Sequence, residues 1–415
     1  MTLSEELSWR GFVNQSTLDD ISQLDMKKFK FYFGIDPSAD SMQIGNLASA
    51  MMVKHFINHG HQAYLLVGGA TGMIGDPDGK SEERQLLTVK QITQNKHNIS
   101  EQYKRIFAGS NFEIVDNFDW FKGFGYLEFL RDIGKHVPMR QMLGREFVQN
   151  RLGENGNGIS YAEFSYVLIQ AYDFLHLHKQ YGVNLQLCGS DQWGNSIAGV
   201  DLIRRVTGEI AHVWSAPLIV NPQTGIKFGK SEGGAVWLDS NKTSVTSFYQ
   251  FWINADDYAV EHYLKIFTFL SFEEIKHLMI QHNENPKLRL AQFKLADEVT
   301  KIVHGEHSAK VASLVTSFLL GKMQVSEANG NDLKFLTQEI PSIRVSEGSS
   351  IAKALVECGL ASSNNEGRKL IASGAIYVNN QRKANDVFNS SDFNNRRLLL
   401  RKGKAFKDSA LIELR

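Results

Sequence analysis

The residues best suited to chemistry in this sequence lie in the segment DPSADSMQIGNLAS, residues 36–49. A Pro, a Gly and several small polar residues there lead directly into a helical pattern, LASAMMVKHFINHG. The first N–H groups of a helix have no partner within it, so such a junction presents donors to an anion. The segment therefore predicts an anion site at the start of a helix.

The segment AEFSYVLIQAYDF, residues 162–174, has the pattern of a helix with two different faces. Tyr166, Gln170 and Asp173 recur at the spacing i, i+4 and i+7 and share one face. A solvent-facing polar stripe is the alternative interpretation. The neighbouring residues are so apolar that we expect the helix to be buried nearly all round, and buried polar groups need partners. The pattern therefore favours a polar ligand at this face.

The segment LQLCGSDQWGN, residues 185–195, is the third candidate. Gln186 alternates with apolar residues as on a strand, and Asp191 and Gln192 lie where a helix is predicted to begin. An N-cap role for Asp191 is the alternative to a role in ligand binding.

Two Gly-rich loops complete the set of candidates. GGATGMIGDPDGK, residues 68–80, matches neither standard phosphate fingerprint, because Ile74 replaces the first Gly of a P-loop and Ala70 replaces the first Gly of G-x-G-x-x-G. A tight turn and a nucleotide site both remain open for this loop. TGIKFGKSEGG, residues 224–234, carries two lysines three positions apart. It is either a solvated turn or a loop that closes over phosphates and stabilises charge in a transition state.

Alternating elements must position these candidates. Short strands are predicted at 63–69, 112–117 and 183–189, and each is followed by a loop and a helical pattern. This order predicts an α/β fold with a doubly wound parallel sheet, in which ligands bind beyond the carboxyl ends of the strands. The Gly-rich loops that follow the strands are therefore expected to meet at one crevice.

Composition limits the possible functions. The chain has 415 residues, is 42% hydrophobic and carries no net charge. It lacks an apolar run of about 20 residues that could cross a bilayer. The two cysteines, Cys188 and Cys358, lie too far apart in sequence for a metal knuckle, and we expect a reducing, cytoplasmic setting.

Changes in pattern along the chain predict several domains. Residues 1–235 form the α/β part with its lysine loop, residues 236–330 are mostly helical, residues 331–346 have the composition of a linker, and residues 347–415 form a small α+β module. Residues 366–415 contain 11 Lys or Arg against 5 Asp or Glu, a net charge of +6. That asymmetry indicates an anion-binding module, and a basic surface that serves solubility is the alternative.

These segments, in this order, resemble the bacterial-type tyrosyl-tRNA synthetases, which are class I aminoacyl-tRNA synthetases. YFGIDPSADSMQIGN resembles the first signature of the family, and KFGKS resembles the second, the mobile lysine loop. GGATGMIGDPDGKSEER, AEFSYVLIQAYDF and CGSDQWGN are similar to the segments around its amino-acid site. The resemblance covers nearly the whole chain and implies a Rossmann-like catalytic domain, a helical anticodon-side domain and a small RNA-binding domain.

The resemblance implies that tyrosine is activated with Mg²⁺-ATP to tyrosyl-adenylate and is then transferred to tRNA(Tyr). Catalysis would then rest on positioning and electrostatics, with no protein-bound metal. It also implies a cytoplasmic homodimer. The tyrosine-binding residues would be Tyr32, Gly34, Asp36, Asp76, Tyr166, Gln170, Asp173 and Gln186. The ATP-binding residues would be Gly45, Asn46, Gly189, Asp191, Gln192 and Lys230, and the catalytic residues would be Ser38, Gln43, Lys80, Arg84, Lys227, Lys230 and Ser231.

One position departs from the family pattern. Gln43 stands where the first signature usually has His, whereas Asn46 is a familiar variant. An amide is a donor of similar reach but is never cationic, so we expect altered activation rather than an inactive protein. Two rivals remain: a non-catalytic RNA-binding relative, supported only by Gln43, and a tryptophan-specific synthetase, for which a Tyr32–Asp173 pair has no purpose.

Overall fold

The computed structural model describes residues 1–77, 86–144, 146–153, 156–220, 230–231, 234–403 and 408–415. They form two compact units. The first unit comprises Met1–Lys242 and Asp256–Ala291, and the second comprises Thr243–Ala255 and Gln292–Arg415.

A six-stranded sheet runs through the first unit. Its strands are β1 (Gln15–Ser16), β2 (Lys30–Ile35), β3 (Gln62–Val67), β4 (Phe112–Val115), β5 (Leu185–Gly189) and β6 (His212–Ala216). The strand order is β1-β6-β5-β2-β3-β4, and all neighbours are parallel except β1 and β6. The predicted parallel sheet is confirmed. Because the order reverses between β2 and β5, the crevice beyond their carboxyl ends is the expected ligand site.

Helices connect these strands and continue beyond them. They are α1 (Leu3–Arg10), α2 (Gln23–Met26), α3 (Ile44–Asn58), α4 (Thr71–Ile74), α5 (Val89–Ile106), α6 (Phe118–Phe121), α7 (Tyr126–Asp132), α8 (Met139–Leu143), α9 (Glu146–Leu152), α10 (Tyr161–Tyr181) and α11 (Trp193–Thr207). The chain then forms β7 (Lys230–Ser231), β8 (Gly234–Ala235), α12 (Val245–Ile253), α13 (Val260–Phe267) and α14 (Phe272–Glu284). No described helix is long and apolar enough to cross a membrane.

The side chains of β2 show how helices cover both faces of the sheet. Successive strand residues point to opposite faces. The ring of Phe31 lies 5.6 Å from that of Phe56 on α3, whereas the ring of Tyr32 lies 5.2 Å from that of Phe174 on α10. The sheet is therefore doubly wound, as predicted, with α3 and α10 on opposite sides.

Local signals fix both ends of α10. The Ser160 hydroxyl accepts a hydrogen bond from the N–H of Glu163 at 3.2 Å, and the Glu163 side chain completes a capping box. Gly182, with φ of +71°, ends the helix in the left-handed conformation that glycine adopts readily. The polar face predicted on α10 is therefore held in a fixed register.

A second sheet organises the second unit. Its strands are β9 (Ser342–Val345), β10 (Ile376–Val378), β11 (Gln381–Arg382), β12 (Arg397–Lys402) and β13 (Ser409–Leu414), in the order β11-β10-β12-β13-β9. The helices that follow α14 are α15 (Leu290–His304), α16 (Glu306–Leu319), α17 (Gly330–Glu339), α18 (Ile351–Glu357) and α19 (Asn364–Ala372).

The predicted linker at 331–346 is wrong, because these residues hold most of α17 and all of β9. Asn329 caps α17 by accepting a hydrogen bond from the N–H of Asp332 at 3.1 Å. Leu336 and Ile340 are buried with Leu399 of β12 in one apolar cluster. The polar sequence around the cap concealed a short helix. The predicted helical part at 236–330 is divided between the units, because α13 and α14 belong to the first unit whereas α12 and α16 belong to the second.

Candidate functional site

A cavity of about 470 Å³ opens beyond the carboxyl ends of β2 and β5. It brings together residues that come from strands, loops and helices far apart in sequence. The predicted site residues that line it are Tyr32, Gly34, Asp36, Ser38, Gln43, Gly45, Asn46, Asp76, Tyr166, Gln170, Asp173, Gln186, Gly189, Asp191 and Gln192. The crevice predicted from the order of strands and loops therefore exists.

One end of the cavity buries polar groups that lack partners. Tyr32 on β2 and Asp173 on α10 are only 2% and 1% exposed. Within the described part of the chain, neither the Tyr32 hydroxyl nor Gln170 Oε1 has a hydrogen-bond partner. Burial, reinforced by the nearby Asp173, raises the pKa of the Tyr32 phenol well above its usual value, so the group stays a neutral donor. Because buried polar groups are rarely left unpaired, this end suits a polar ligand.

Two side chains orient the carboxylate of Asp173. Trp120 Nε1 donates to Oδ1 at 2.9 Å, and Asn117 Nδ2 donates to Oδ2 at 3.1 Å. Burial raises the pKa of Asp173, whereas these two donors act in the opposite direction. Each carboxylate oxygen keeps a further lone pair, so Asp173 can still accept a hydrogen bond from a ligand.

Asn117 and Trp120 were not predicted from the sequence. Asn117 is fully buried, and its Oδ1 accepts from the N–H of Ala70 at 2.7 Å, which ties the loop after β3 to the end of β4. The indole of Trp120 stacks on the imidazole of His176, with ring centroids 4.4 Å apart and planes inclined by 16°. Their position just after β4 was the signal available, since β4 ends at the same edge of the sheet as β2.

Carboxylates and amides surround the next part of the cavity. The Tyr166 hydroxyl donates to Asp36 Oδ2 at 2.7 Å, and Gln192 Nε2 donates to Asp76 Oδ2. Burial, followed by the charge of Asp36, raises the pKa of Tyr166 well above its usual value. Two carboxylates at the wall of one cavity attract a cationic group.

The loop after β3 approaches this wall because of one glycine. A Cβ added to Gly68 would lie 2.0 Å from Thr71 Oγ1 and 2.7 Å from Asp36 Oδ1. Any larger residue would therefore displace the carboxylate. Thr71 also lines the cavity and accepts a hydrogen bond from Asn117 Nδ2 at 3.1 Å.

The opposite end of the cavity lies at the start of α3. Asn46 Oδ1 accepts a hydrogen bond from the N–H of Gln43 at 2.9 Å and so caps the helix. Gln43 also forms an isolated antiparallel bridge with Trp237. Gly45 and Ser38 are exposed at this end. The predicted strand–helix junction is confirmed, and Asn46 has a structural role that the sequence did not reveal.

The remaining predicted site residues are not among the described residues that line this cavity. Lys80, Arg84 and Lys227 lie outside the described residues. Lys230 and Ser231 form β7, which pairs antiparallel with β8. Among the described residues, no group of three or more His, Cys, Asp or Glu side chains is arranged to hold a metal ion.

Comparisons with known proteins identify the family to which the chain is similar. Residues 24–321 match the family described as tRNA synthetases class I (W and Y). Residues 332–407 match the tyrosine–tRNA ligase SYY-like C-terminal domain.

Curated relatives extend the similarity over the whole chain, and a solved structure covers most of it. The chain is 40% identical to the tyrosine–tRNA ligase of Levilactobacillus brevis over 97% of its own length and 98% of the relative's length. It is 41% identical to tyrosine–tRNA ligase 2 of Bacillus cereus over 100% of both chains. A C-terminally truncated mitochondrial tyrosyl-tRNA synthetase of Aspergillus nidulans is similar in structure, with a TM-score of 0.70 and 31% identity, over 77% of this chain and 94% of that one.

Proposed function

The chain belongs to the tyrosine–tRNA ligases, and from that premise we propose which of its residues handle L-tyrosine and which handle ATP. The enzyme activates L-tyrosine with ATP to form tyrosyl-adenylate and pyrophosphate. It then transfers the tyrosyl group to the 3′ end of tRNA(Tyr). In the first step, a carboxylate oxygen of tyrosine attacks the α-phosphorus, and pyrophosphate leaves.

The phenol of tyrosine is proposed to bind between Tyr32 and Asp173. The observation that carries this assignment is the buried Tyr32 hydroxyl, which has no protein partner in the described chain and stands at the same end of the cavity as Asp173. The substrate hydroxyl would satisfy both side chains. Phenylalanine would leave both groups desolvated and unpaired, which is costly. The enzyme would therefore select tyrosine over phenylalanine because phenylalanine cannot make these two hydrogen bonds, and not because the two side chains differ in size.

The ammonium group is proposed to bind near Asp76, Tyr166 and Gln170. The two carboxylates at this wall, Asp36 and Asp76, support the assignment, as does the unpaired Oε1 of Gln170 in the described chain. Gln186, buried on β5 and lining the same cavity, would help to orient the amino acid together with Gly34.

ATP is proposed to occupy the end of the cavity between α3 and the start of α11. Gly45 would let adenine approach the backbone, Asp191 would bind the ribose beside Gly189, and Gln192 would meet the α-phosphate or the carboxylate. Ser38 and Gln43 would donate to the phosphates. Mg²⁺ would arrive with ATP, bound to the phosphates.

Pyrophosphate is proposed to leave past a set of cationic and hydroxyl side chains. The sequence pattern KFGKS and the loop before α5 support this assignment. The residues are Lys80, Arg84, Lys227, Lys230 and Ser231. Their charges would stabilise the leaving group as it develops.

We also propose a cytoplasmic homodimer. Large apolar side chains lie exposed between residues 118 and 161, and Tyr126, Leu127 and Tyr161 are 62%, 79% and 61% exposed. Exposed apolar side chains in one segment are typical of an interface. The two cysteines are free and buried, which suits a reducing compartment.

Amino-acid-dependent exchange of pyrophosphate into ATP tests the proposed function. We expect exchange with tyrosine and none above background with tryptophan or phenylalanine. Exchange with tryptophan instead would overturn the phenol assignment, and the absence of any exchange would favour a non-catalytic RNA-binding protein.

A further inference from the structure

The chain between β2 and α3 makes few hydrogen bonds between backbone groups. Residues 37–42 form this junction loop, and Ser38 within it and Gln43 directly after it line the cavity of the first unit. In the described part of the chain, its backbone–backbone hydrogen bonds run from the N–H of Ser38 to the carbonyl two residues before it and from the N–H of Leu238 to the carbonyl of Met42. The position of the junction loop therefore depends on side chains from elsewhere.

Helix α5 supplies those side chains. Three of its amides, Asn95, Asn98 and Gln102, recur at the spacing i, i+3 and i+7 and share one face of the helix. Asn95 Nδ2 donates to the carbonyl of Pro37 at 2.9 Å, and Asn98 Nδ2 donates to the carbonyl of Asp40 at 3.0 Å. Gln102 binds the end of the loop nearest α3. One face of α5 therefore holds the junction loop from its beginning to its end.

Gln102 uses both ends of its amide on this loop. Its Oε1 accepts a hydrogen bond from the N–H of Met42, and its Nε2 donates to Ser41 Oγ, both at 2.8 Å. Ser41 Oγ also accepts a hydrogen bond from the N–H of Asp239 at 3.2 Å, in the chain that follows β8. Gln102, Ser41 and Met42 are all buried. Gln102 therefore joins α5, the junction loop and the chain after the lysine loop at one buried point.

The packing of α5 alone does not call for these amides. Ile92, Ile99 and Ile106 form the apolar face of the helix and are at most 6% exposed. Asn95 and Gln102, which are also buried, alternate with them at spacings of three and four residues, where an amphipathic helix usually has apolar side chains. A buried amide is costly unless it is hydrogen-bonded. The two amides therefore serve the loop that they bind rather than the core that they interrupt.

We propose that Gln102 is a positioning residue for the activation of tyrosine and that Asn95 assists it. Neither is among the described residues that line the cavity, so both act through the junction loop. Donors stabilise the charge of a transition state only when they are held in place beforehand, and a small displacement lowers the rate. The proposal rests on the proposed function, which places the phosphates of ATP beside Ser38 and Gln43, and it adds the residues that hold those two donors in place.

The test uses Gln102→Leu in the full-length enzyme. Leucine suits the apolar face of α5 but has no polar atom, so the buried N–H of Met42 loses its acceptor. The matched control is Gln292→Leu, because Gln292 is also a buried helical amide that holds a loop: its Nε2 donates to the carbonyl of Ala255 at 3.3 Å in the second unit. Asn95→Ala is a second variant, and it tests the proposal even if Gln102→Leu does not fold.

Three measurements are compared: tyrosine-dependent pyrophosphate exchange over a range of ATP concentrations, equilibrium binding of tyrosine without ATP, and denaturant titration. For Gln102→Leu we expect kcat/KM for ATP to fall about tenfold, because a buried donor loses its partner, while the Kd for tyrosine stays within about twofold. Asn95→Ala should show the same pattern with a fall of about threefold. Gln292→Leu should be less stable than the unmodified enzyme but should keep its kcat/KM for ATP and its Kd for tyrosine.

Unchanged kcat/KM for ATP in a folded Gln102→Leu enzyme would overturn the proposal, and so would unchanged kcat/KM in Asn95→Ala if Gln102→Leu does not fold. An equal loss in tyrosine affinity, or an equal fall in kcat/KM for ATP in Gln292→Leu, would also overturn it, because either would show a general loss of structure. In each case the unmodified enzyme still exchanges pyrophosphate with tyrosine. Absence of that exchange in the unmodified enzyme would instead overturn the proposed function.

Discussion

The two ends of the cavity in the first unit are built in different ways. At the end assigned to tyrosine, Tyr32 and Asp173 are buried, and Asp173 is held by hydrogen bonds from Asn117 and Trp120. At the end assigned to the phosphates, Ser38 is exposed, and the hydrogen bonds described there mostly involve backbone groups at the start of α3. One end is a preformed, desolvated pocket, and the other is an open junction.

This difference indicates that the two ends have different functions: one selects the amino acid, and the other binds the phosphates. A preformed pocket selects its ligand, because a wrong ligand leaves buried groups unpaired. An open helix start offers donors to an anion but little selection for what is attached to it. We therefore expect changes at the first end to alter the choice and affinity of the amino acid, and changes at the second end to alter the rate of activation.

The largest effect is expected from Asp173→Asn. The variant loses a carboxyl oxygen as the acceptor for the phenol, and its amide NH₂ faces a donor from Asn117 or Trp120. We expect kcat/KM for tyrosine to fall about 100-fold, since a buried polar group left without its partner costs about 1–3 kcal/mol. Pyrophosphate exchange over a range of tyrosine concentrations measures this effect. The control is Asp119→Asn, at an exposed position nearby. A similar loss of kcat/KM in that variant would mean that removing any nearby negative charge lowers activity, and that the hydrogen bond to the phenol is not the cause.

A smaller effect is expected from Asn117→Ala. The change removes one donor to Asp173 and leaves the N–H of Ala70 without its partner. We expect kcat/KM for tyrosine to fall about tenfold and the free energy of unfolding to fall by about 1–3 kcal/mol. Exchange kinetics and denaturant titration measure the two quantities. Loss of stability with normal tyrosine kinetics would show that Asn117 supports only the loop.

Gln43→His tests the other end. An imidazolium donates a stronger hydrogen bond to a phosphate than an amide does, because it is charged. We expect the rate of adenylate formation to rise about fivefold, with the Kd for tyrosine unchanged. Single-turnover kinetics and equilibrium binding separate the two. A large change in tyrosine affinity would show that Gln43 lies at the amino-acid end instead.

The smallest effect is expected from His176→Ala. His176 stacks on Trp120 and so helps to aim its indole N–H at Asp173. Aromatic pairs contribute about 0.5–1.5 kcal/mol, so the KM for tyrosine should rise about three- to fivefold while the KM for ATP stays constant. His176→Phe keeps a flat ring and should restore the KM. Failure of that rescue would mean that stacking is not the cause.

Much of the fold and the site was predictable because the signals were local. Strand and loop order predicted the parallel sheet, and the spacing of Tyr166, Gln170 and Asp173 predicted a buried polar face. Asn117 and Trp120 were missed because their role depends on the meeting of β4 with α10, which no local pattern encodes. The segment 331–346 was misjudged for a related reason: its polar residues cap a short helix whose apolar face is buried only against the distant β12.

Equilibrium binding of tyrosine without ATP most directly tests the claim that one end of the cavity binds tyrosine and the other end serves activation. The comparison uses Asp173→Asn and Gln43→Ala, each against the unmodified enzyme. We predict that Asp173→Asn raises the Kd for tyrosine by at least about tenfold, whereas Gln43→Ala leaves it within about twofold. An equal change in both variants, or a larger change in Gln43→Ala, would contradict the assignment of the two ends.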